Sequence, residues 1–490
     1  MSDRKPTYLL YLAASFCGRA VMLIVLVALT RFLDKAEYGL FALVVASGEI
    51  LDMVASNWIR IRFLREEAGK AHIGAVRLGR TFILLGVSTV LACVMAAGIS
   101  VLVGAPSAVV FAVSTMAYVV AFAVLRLCLS VLQHQERHLW FAVVEISRSA
   151  LVCALAVAAA VMWPSYVAPV IALSGVTLAC ALAGLFAALR GNPRPRMART
   201  GYAQALKFGA PVAAVALLTY ALGWYDRFIL NSFAGPAAVG IYAAGFALAR
   251  QPAAMLLSAM NTYTFPRLAR LKEQGGDRAV ADAQRGLLVS MSTVAGVVTA
   301  GLIALNEPAA AFLYPQDYHA DVAAIMPPIA LGTLLVNLKL FVFDNNFYMT
   351  RHTGLLIGYM LPTAIVATVA SVVLIAQLGL QGAAWGYLAG AALALAASVV
   401  TSRRVLAFDP AIGRLCGILA AALAAGAAGH FVSAAVSAQG VLVQLIGGGV
   451  SMLLVYAIIL HVIGLPFAAI LRTPWDLGDG GLRAAGGGMQ

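Results

Sequence analysis

The sequence predicts an all-α polytopic membrane protein with about fourteen transmembrane helices and both termini in the cytoplasm. Three observations carry that prediction. Of 490 residues, 62% are hydrophobic and only 11% are charged, whereas a soluble globular chain carries roughly 25% charged residues. The apolar residues gather into runs of about 20, the length a helix needs to cross the hydrocarbon core. The basic residues sort by alternate loops: 25 of the 33 Lys and Arg flank ends on one side, and only Arg31, Lys35 and Arg227 stand on the other. Cytoplasmic loops hold the excess of Lys and Arg. The net charge of +13, spread over short loops, therefore reads as membrane topology and not as a nucleic-acid surface. A soluble chain of this length would divide into about three domains, but runs of this kind make a single helical bundle.

The first apolar run, residues 8–30, is too long for a signal-peptide core and has no small-residue cleavage site followed by a polar mature chain, so it is the first span. Further spans follow near residues 38–59, 81–103, 108–132, 140–162, 167–189, 206–229, 239–260, 287–305, 322–343, 354–375, 382–401, 414–436 and 441–463. An even number keeps the two loop sets unmixed. The longest polar stretches, residues 190–201 and 261–285, are cytoplasmic, rich in Arg and too short to fold alone. The longest periplasmic loop is residues 306–321. Residues 480–490 are Gly-rich and read as disordered.

Cys17, Cys93, Cys128, Cys153, Cys180 and Cys416 all fall in apolar runs without CxxC spacing, and read as small packing residues and not as disulfides or metal ligands. His430 and His461 have no carboxylate or second His at ligand spacing, which leaves them packing or interfacial roles. Pro211, Pro252, Pro327, Pro328 and Pro362 each remove a backbone donor; the adjacent pair is the best hinge candidate, although membrane helices also tolerate simple kinks. The Ala-rich runs at 154–160 and 389–397 allow close helix approach.

Two internal echoes bear on architecture. Arg31-Phe32-Leu33 followed by Glu37-Tyr38-Gly39-Leu40-Phe41-Ala42 joins spans one and two. Six spans later Arg227-Phe228-Ile229 is followed by Val239-Gly240-Ile241-Tyr242-Ala243. Parallel repeats about an axis along the membrane normal would produce this spacing, as would the frequency of Gly-aromatic pairs at membrane interfaces. A Gly-rich hairpin, Leu378-Gly379-Leu380-Gln381-Gly382-Ala383-Ala384-Trp385-Gly386, joins spans eleven and twelve.

These passages, with the Trp224-Tyr225-Asp226-Arg227-Phe228-Ile229-Leu230 end of span seven, resemble the polysaccharide biosynthesis flippases of the multidrug/oligosaccharidyl-lipid/polysaccharide exporter superfamily. The resemblance covers nearly the whole chain through span count, orientation and the order of the motifs. It implies two pseudo-symmetric six-helix lobes around a central cavity (residues 1–200 and 201–405), two added C-terminal helices (406–465) and a cytoplasmic tail (466–490). It also implies a cargo, an undecaprenyl-diphosphate-linked oligosaccharide moved from the cytoplasmic to the periplasmic leaflet of a bacterial inner membrane for O-antigen, capsule or exopolysaccharide synthesis. A polysaccharide polymerase and a chain-length regulator are the protein partners it suggests, though no residue pattern specifies either.

Charges inside apolar spans point to transport independently. On insertion scales each costs at least about 2.5–3.5 kcal/mol near the bilayer centre, so they face a partner or a wet cavity. Arg19, Arg126 and Arg148 are candidates to line the N-terminal half of a cavity, and Arg250 and Lys339 the second half, because guanidinium and ammonium groups compensate a diphosphate. The resemblance agrees, since cavity arginines, one of them early in span one, serve its members. Simpler roles stand beside these: an internal salt bridge to Glu49 or Asp52 for Arg19, snorkelling for Arg126 and Arg250, pairing with Glu145 or a reach across to Glu49 or Asp52 for Arg148, and a bridge near Asp344 or snorkelling for Lys339. Glu49 and Asp52, three residues apart, share a helix face and form a candidate proton- or sodium-coupling pair, or else neutralise a nearby arginine. Asp226 and Arg227 read as interfacial anchors or a gate.

No cofactor is expected, and no GxxxxGK[ST] loop is present to bind ATP, so energy comes from an ion gradient or from consumption of the product. The chain is not expected to be an enzyme. A polymerase or ligase would carry a long catalytic periplasmic loop. A multidrug exporter on the same fold is the nearer alternative, but should show carboxylates and aromatics where this chain shows buried arginines.

The orientation is directly testable. In a cysteine-free background, Gln316→Cys should react with a membrane-impermeant maleimide in intact cells and Gln274→Cys only after permeabilisation; the reverse pattern would invert the topology.

Overall fold

The computed structural model describes residues 18, 20–67, 73–190, 195–197, 200–350, 352 and 354–465. Arg19, Cys17 and the C-terminal tail lie outside the described residues. All regular structure among the described residues is helical: α1 (Ala20–Leu29), α2 (Lys35–Glu67), α3 (Ala75–Val103), α4 (Ala108–His134), α5 (His138–Met162), α6 (Val167–Leu189), α7 (Tyr202–Ala304), α8 (Asn306–Leu313), α9 (His319–Leu338), α10 (Asp344–Met349), α11 (Gly354–Leu378), α12 (Leu380–Ser402), α13 (Ile412–Ala435) and α14 (Val441–Val462). Short 3-10 turns at Gln316–Tyr318 and Ser437–Gln439, and a π-helical segment at Lys339–Phe343, join some of them.

Twelve helical stretches among the described residues are long and apolar enough to cross a membrane. One, Gly223–Gln274, has 52 residues, roughly 78 Å if straight, more than twice the hydrocarbon thickness. It is not straight. Within α7, Gly235 (φ 76°) and Gly276 (φ 69°) adopt left-handed backbone, which only glycine enters without penalty. Gly235 followed by Pro236 thus divides the seventh span from the eighth, and Gly276 the eighth from the ninth. Helix α1, described over Ala20–Leu29, is apolar but shorter than the twelve.

Two stretches expected to be loops are folded. Residues 261–274 continue the eighth span as helix and residues 277–286 open the ninth, because Leu268, Leu271, Ala283 and Leu287 form an apolar face that packs with Leu257 and Met291. Residues 306–321 hold α8 and a 3-10 turn, with Tyr314 donating to the Ala244 carbonyl at 2.8 Å.

The chain forms two compact units, one ending at Ala243 and one beginning at Ala244. In the first, α4 packs against α2, α3 and α6, and α5 packs on α6. Trp58, Phe63, Leu78, Cys128, Phe141 and Leu185 meet in its core. In the second, α12 lies against α9 and α11, and α13 pairs with α14. The most apolar window of α2 is 78% buried, against 22% for α3, α11 and α14, so α2 is an interior helix and the others present their sides to lipid. Cys93, Cys128, Cys153, Cys180 and Cys416 are free thiols, and His430 lies 3.3 Å from the Ala304 carbonyl. Helix α9 runs through Pro327 and Pro328 and ends in the π-helical segment.

The echoed glycines meet. A Cβ on Gly39 would fall on the Pro236 carbonyl, and one on Gly240 would fall on the carbonyl of Lys35. Backbone thus lies on backbone where Tyr38-Gly39 approaches Gly240-Ile241, a contact that only small residues permit. Gly39→Ala should therefore destabilise the protein by at least about 1–3 kcal/mol, the range for overpacking, while Gly413→Ala, where a Cβ meets nothing, should be near neutral. Thermal unfolding in detergent measures both; equal midpoints would refute the contact.

Candidate functional site

Most of the described ionisable residues singled out in the spans sit in polar clusters, and the densest cluster lies in the first unit. Glu49 and Asp52 occupy one face of α2 and share the guanidinium of Arg126 from α4. Arg126 Nε bonds Asp52 Oδ2, and its Nη2 lies 3.3 Å from Glu49 Oε2. Asp52 is fully buried and also accepts from the Ser56 hydroxyl at 2.7 Å. Tyr118, one helical face along α4, donates to Glu49 Oε1 at 2.8 Å, and its ring stacks on Phe122 at 4.1 Å. Glu49 and Arg126 keep about a fifth of their side-chain surface open, so the cluster is reachable at one edge. With all three groups ionised, it carries one surplus negative charge.

Arg148 is not part of this cluster. It bonds Glu145 on its own helix at 2.9 Å, as three-residue spacing allows. A Cβ on Gly18 would come 3.5 Å from a Glu145 carboxylate oxygen, which places the first span beside this pair. Arg148 Nε and Ser149 Oγ lack partners.

Asp226 and Arg227 are both buried and pair at 3.1 Å. Tyr242 donates to Asp226 at 2.5 Å, and the Arg227 guanidinium stacks over Trp224 at 4.3 Å. The aromatic rings of Trp224 and Tyr242 enclose the pair, so the residues that the sequence reads as interfacial anchors or a gate are buried within the protein.

In the second unit Lys339 bonds Asp344 at 2.6 Å. Asp344 also accepts from Tyr359 on α11 at 2.5 Å and Ser398 on α12 at 2.6 Å. Asn345 donates to Asn261 and Gln284 donates to Asn346, so α7 joins the same buried network. Gln284 Oε1 and Asn346 Nδ2 remain without partners. This ion pair is neutral, unlike that of the first unit. Arg250 stacks on Phe246 at 5.5 Å and has no carboxylate partner among the described residues. No group of three or more His, Cys, Asp or Glu among the described residues is arranged to hold a metal.

The sequence profile of the polysaccharide biosynthesis proteins matches residues 8–272, more than half of the chain. The chain belongs to that family. Among solved structures, lipid II flippase MurJ in an inward closed conformation superposes with a TM-score of 0.73 at 12% identity, covering 93% of this chain and 99% of MurJ. A MOP superfamily transporter from Pyrococcus furiosus, described as having a binding pocket of reversed polarity, gives 0.54 at 15% identity, covering 85% of this chain and 97% of its own. No curated protein matches in sequence. The protein is thus a multi-pass membrane member of the polysaccharide biosynthesis family with a MurJ-like fold.

Tyr118, Tyr242, Tyr359, Ser398, Gln284 and Asn261 are site-cluster members that sequence reasoning missed. Gln284 and Asn261 lie in a stretch that the sequence predicts to be a cytoplasmic loop. The Asp344-Asn345-Asn346 run directly after an apolar stretch was the available signal for the second network.

Removing one member of a buried ion cluster leaves the others uncompensated. Arg126→Ala should cost about 3–5 kcal/mol of stability, and adding Glu49→Gln with Asp52→Asn to the same chain should recover most of it. Thermal unfolding of the purified variants would show this; no recovery would mean Arg126 acts through other contacts.

Proposed function

We propose that this member of the polysaccharide biosynthesis family is a secondary transporter, a flippase that carries an undecaprenyl-diphosphate-linked oligosaccharide repeat unit from the cytoplasmic to the periplasmic leaflet of a bacterial inner membrane. The product would feed O-antigen, capsule or exopolysaccharide synthesis, with a polymerase and a chain-length regulator downstream. The reading rests on family membership, the MurJ-like fold and, above all, one observation: a membrane-embedded guanidinium, Arg126, held by two carboxylates where one would neutralise it.

That arrangement suits exchange of partners. A diphosphate presents anionic oxygens that compete with Glu49 and Asp52 for Arg126. Protonation of one carboxylate weakens its hold on the guanidinium and leaves Arg126 free to turn to the phosphate; return of the carboxylate charge favours release. Glu49 and Asp52 are then the coupling groups, and the inward proton gradient is a suitable source of energy. Arg250, held only by an aromatic face, is a second phosphate ligand. Arg19, Arg148 and Lys339 complete the cationic path, the latter two by exchanging Glu145 and Asp344 for cargo. Asp226 and Arg227 form a gate. In alternating access the moving bodies are the lobes at 1–200 and 201–405, with helices at 406–465 outside them and the tail at 466–490 in the cytoplasm.

The surplus negative charge at Glu49 and Asp52 is also what export of an organic cation would use, and one experiment separates the two. In cells lacking the protein, lipid-linked oligosaccharide should accumulate on the cytoplasmic leaflet, and wild type should relieve it. Arg19→Ala and Arg250→Ala should each lower flipping roughly tenfold or more, as loss of a charge-assisted bond of about 1.5–3 kcal/mol implies. A normal leaflet distribution without the protein, with new sensitivity to cationic drugs, would establish export instead.

A further inference from the structure

We infer that the basic end of α3 binds an anionic phospholipid, whose chain lies in an apolar groove and whose phosphate meets Arg196 and Arg80. The inference is independent of the cargo proposed above. Residues 195–197 form a strap across the first turns of α3. The Arg196 amide donates to the Ala75 carbonyl at 3.0 Å, and Gly79 lets the strap lie flat, since a Cβ there would fall on the Arg196 carbonyl. Beside the strap a groove of about 330 Å³ is lined by Gly79, Phe82, Ile83, Pro195, Arg196 and Met197.

Three features select the occupant. Met197 is 84% exposed, an unusual place for a thioether in water but a natural one among acyl chains. Helix α3 is one of the least buried spans, so the groove opens towards lipid. The charges are uncompensated: Arg77 is spent on Glu67, but Arg196 is exposed, and neither it nor Arg80 has a carboxylate partner among the described residues. The Arg80 guanidinium lies directly over the Gly201 α-carbon, where a Cβ would stand 2.7 Å from Cζ, and its Nε is buried without a partner. An apolar trough lined by the exposed Arg196, with Arg80 following Gly79 on α3 at the end where basic residues gather, complements an acidic lipid of the cytoplasmic leaflet. The open, shallow groove leaves no enclosure for an oligosaccharide. Because the strap joins α6 to α7, a lipid held there would tie the connection between the sixth and seventh spans to α3.

Native mass spectrometry of the full-length protein, titrated with phosphatidylglycerol or phosphatidylethanolamine, tests the site. Wild type should retain phosphatidylglycerol preferentially. Arg196→Gln should weaken that retention about fivefold, equivalent to about 1 kcal/mol per arginine near an anionic headgroup, and Arg80→Gln with Arg196→Gln more than tenfold. Arg404→Gln, exposed on another loop, should change nothing. In a second measurement, tryptophan fluorescence added by Phe82→Trp should be quenched more by brominated phosphatidylglycerol than by brominated phosphatidylcholine, which locates the lipid even if an arginine variant unfolds. Equal retention of the two lipids, unchanged retention in the double variant, or equal quenching would overturn the inference. So would displacement of phosphatidylglycerol by equimolar undecaprenyl diphosphate, which would assign the groove to the cargo.

Discussion

Asp52 and Asp344 each bury a carboxylate in an apolar helical bundle, and neither can be hydrated there. An unpaired ion in such a place costs several kcal/mol, so each must be met by donors from within the protein. Asp52 draws Arg126 across from α4 and Ser56 from its own helix. Asp344 draws Lys339, Tyr359 and Ser398 from the π-helical segment, α11 and α12. Lipid-facing helices have no hydrophobic drive to associate with one another, because the surrounding lipid is equally apolar. Polar contacts of this kind therefore specify which helices sit together and in what register.

The two units meet the same constraint with different charge balances. The second has one acid, one base and a complement of hydroxyl and amide partners. The first has two acids for one base. An ion cluster with a surplus negative charge is more sensitive to protonation than a neutral pair is, and this asymmetry is the physical ground on which coupling is proposed for the first unit. The π-helical segment at Lys339–Phe343 turns both Lys339 and Asp344 into one site, a use of local helix irregularity that recurs at functional positions.

Glycine sets the closest approaches. Gly39 and Gly240 bring two backbone segments into contact where any side chain would hold them apart. This gives the sequence echo a physical reason beyond interfacial composition: the two passages are alike, and they pack against each other. At the basic end, Gly79 does the same for the strap that carries Arg196.

Fold class and the family were legible because they depend on composition, run length and motif order, which are local properties of the chain. The Glu145–Arg148 pair was legible for the same reason, since one turn of helix brings the two together. The partner of Asp52 was not. Arg126 lies 74 residues away, and helix periodicity fixes which residues share a face but not which face of another helix they meet. The partners of Asn261 and Gln284, Asn345 and Asn346, were likewise set by neighbours distant in sequence. Alone, the sequence determined that charges had to be buried among membrane-spanning helices. Only the tertiary structure decided their partners, because side-chain packing between helices, and not the order of residues along one, selects which opposite charges come within bonding distance.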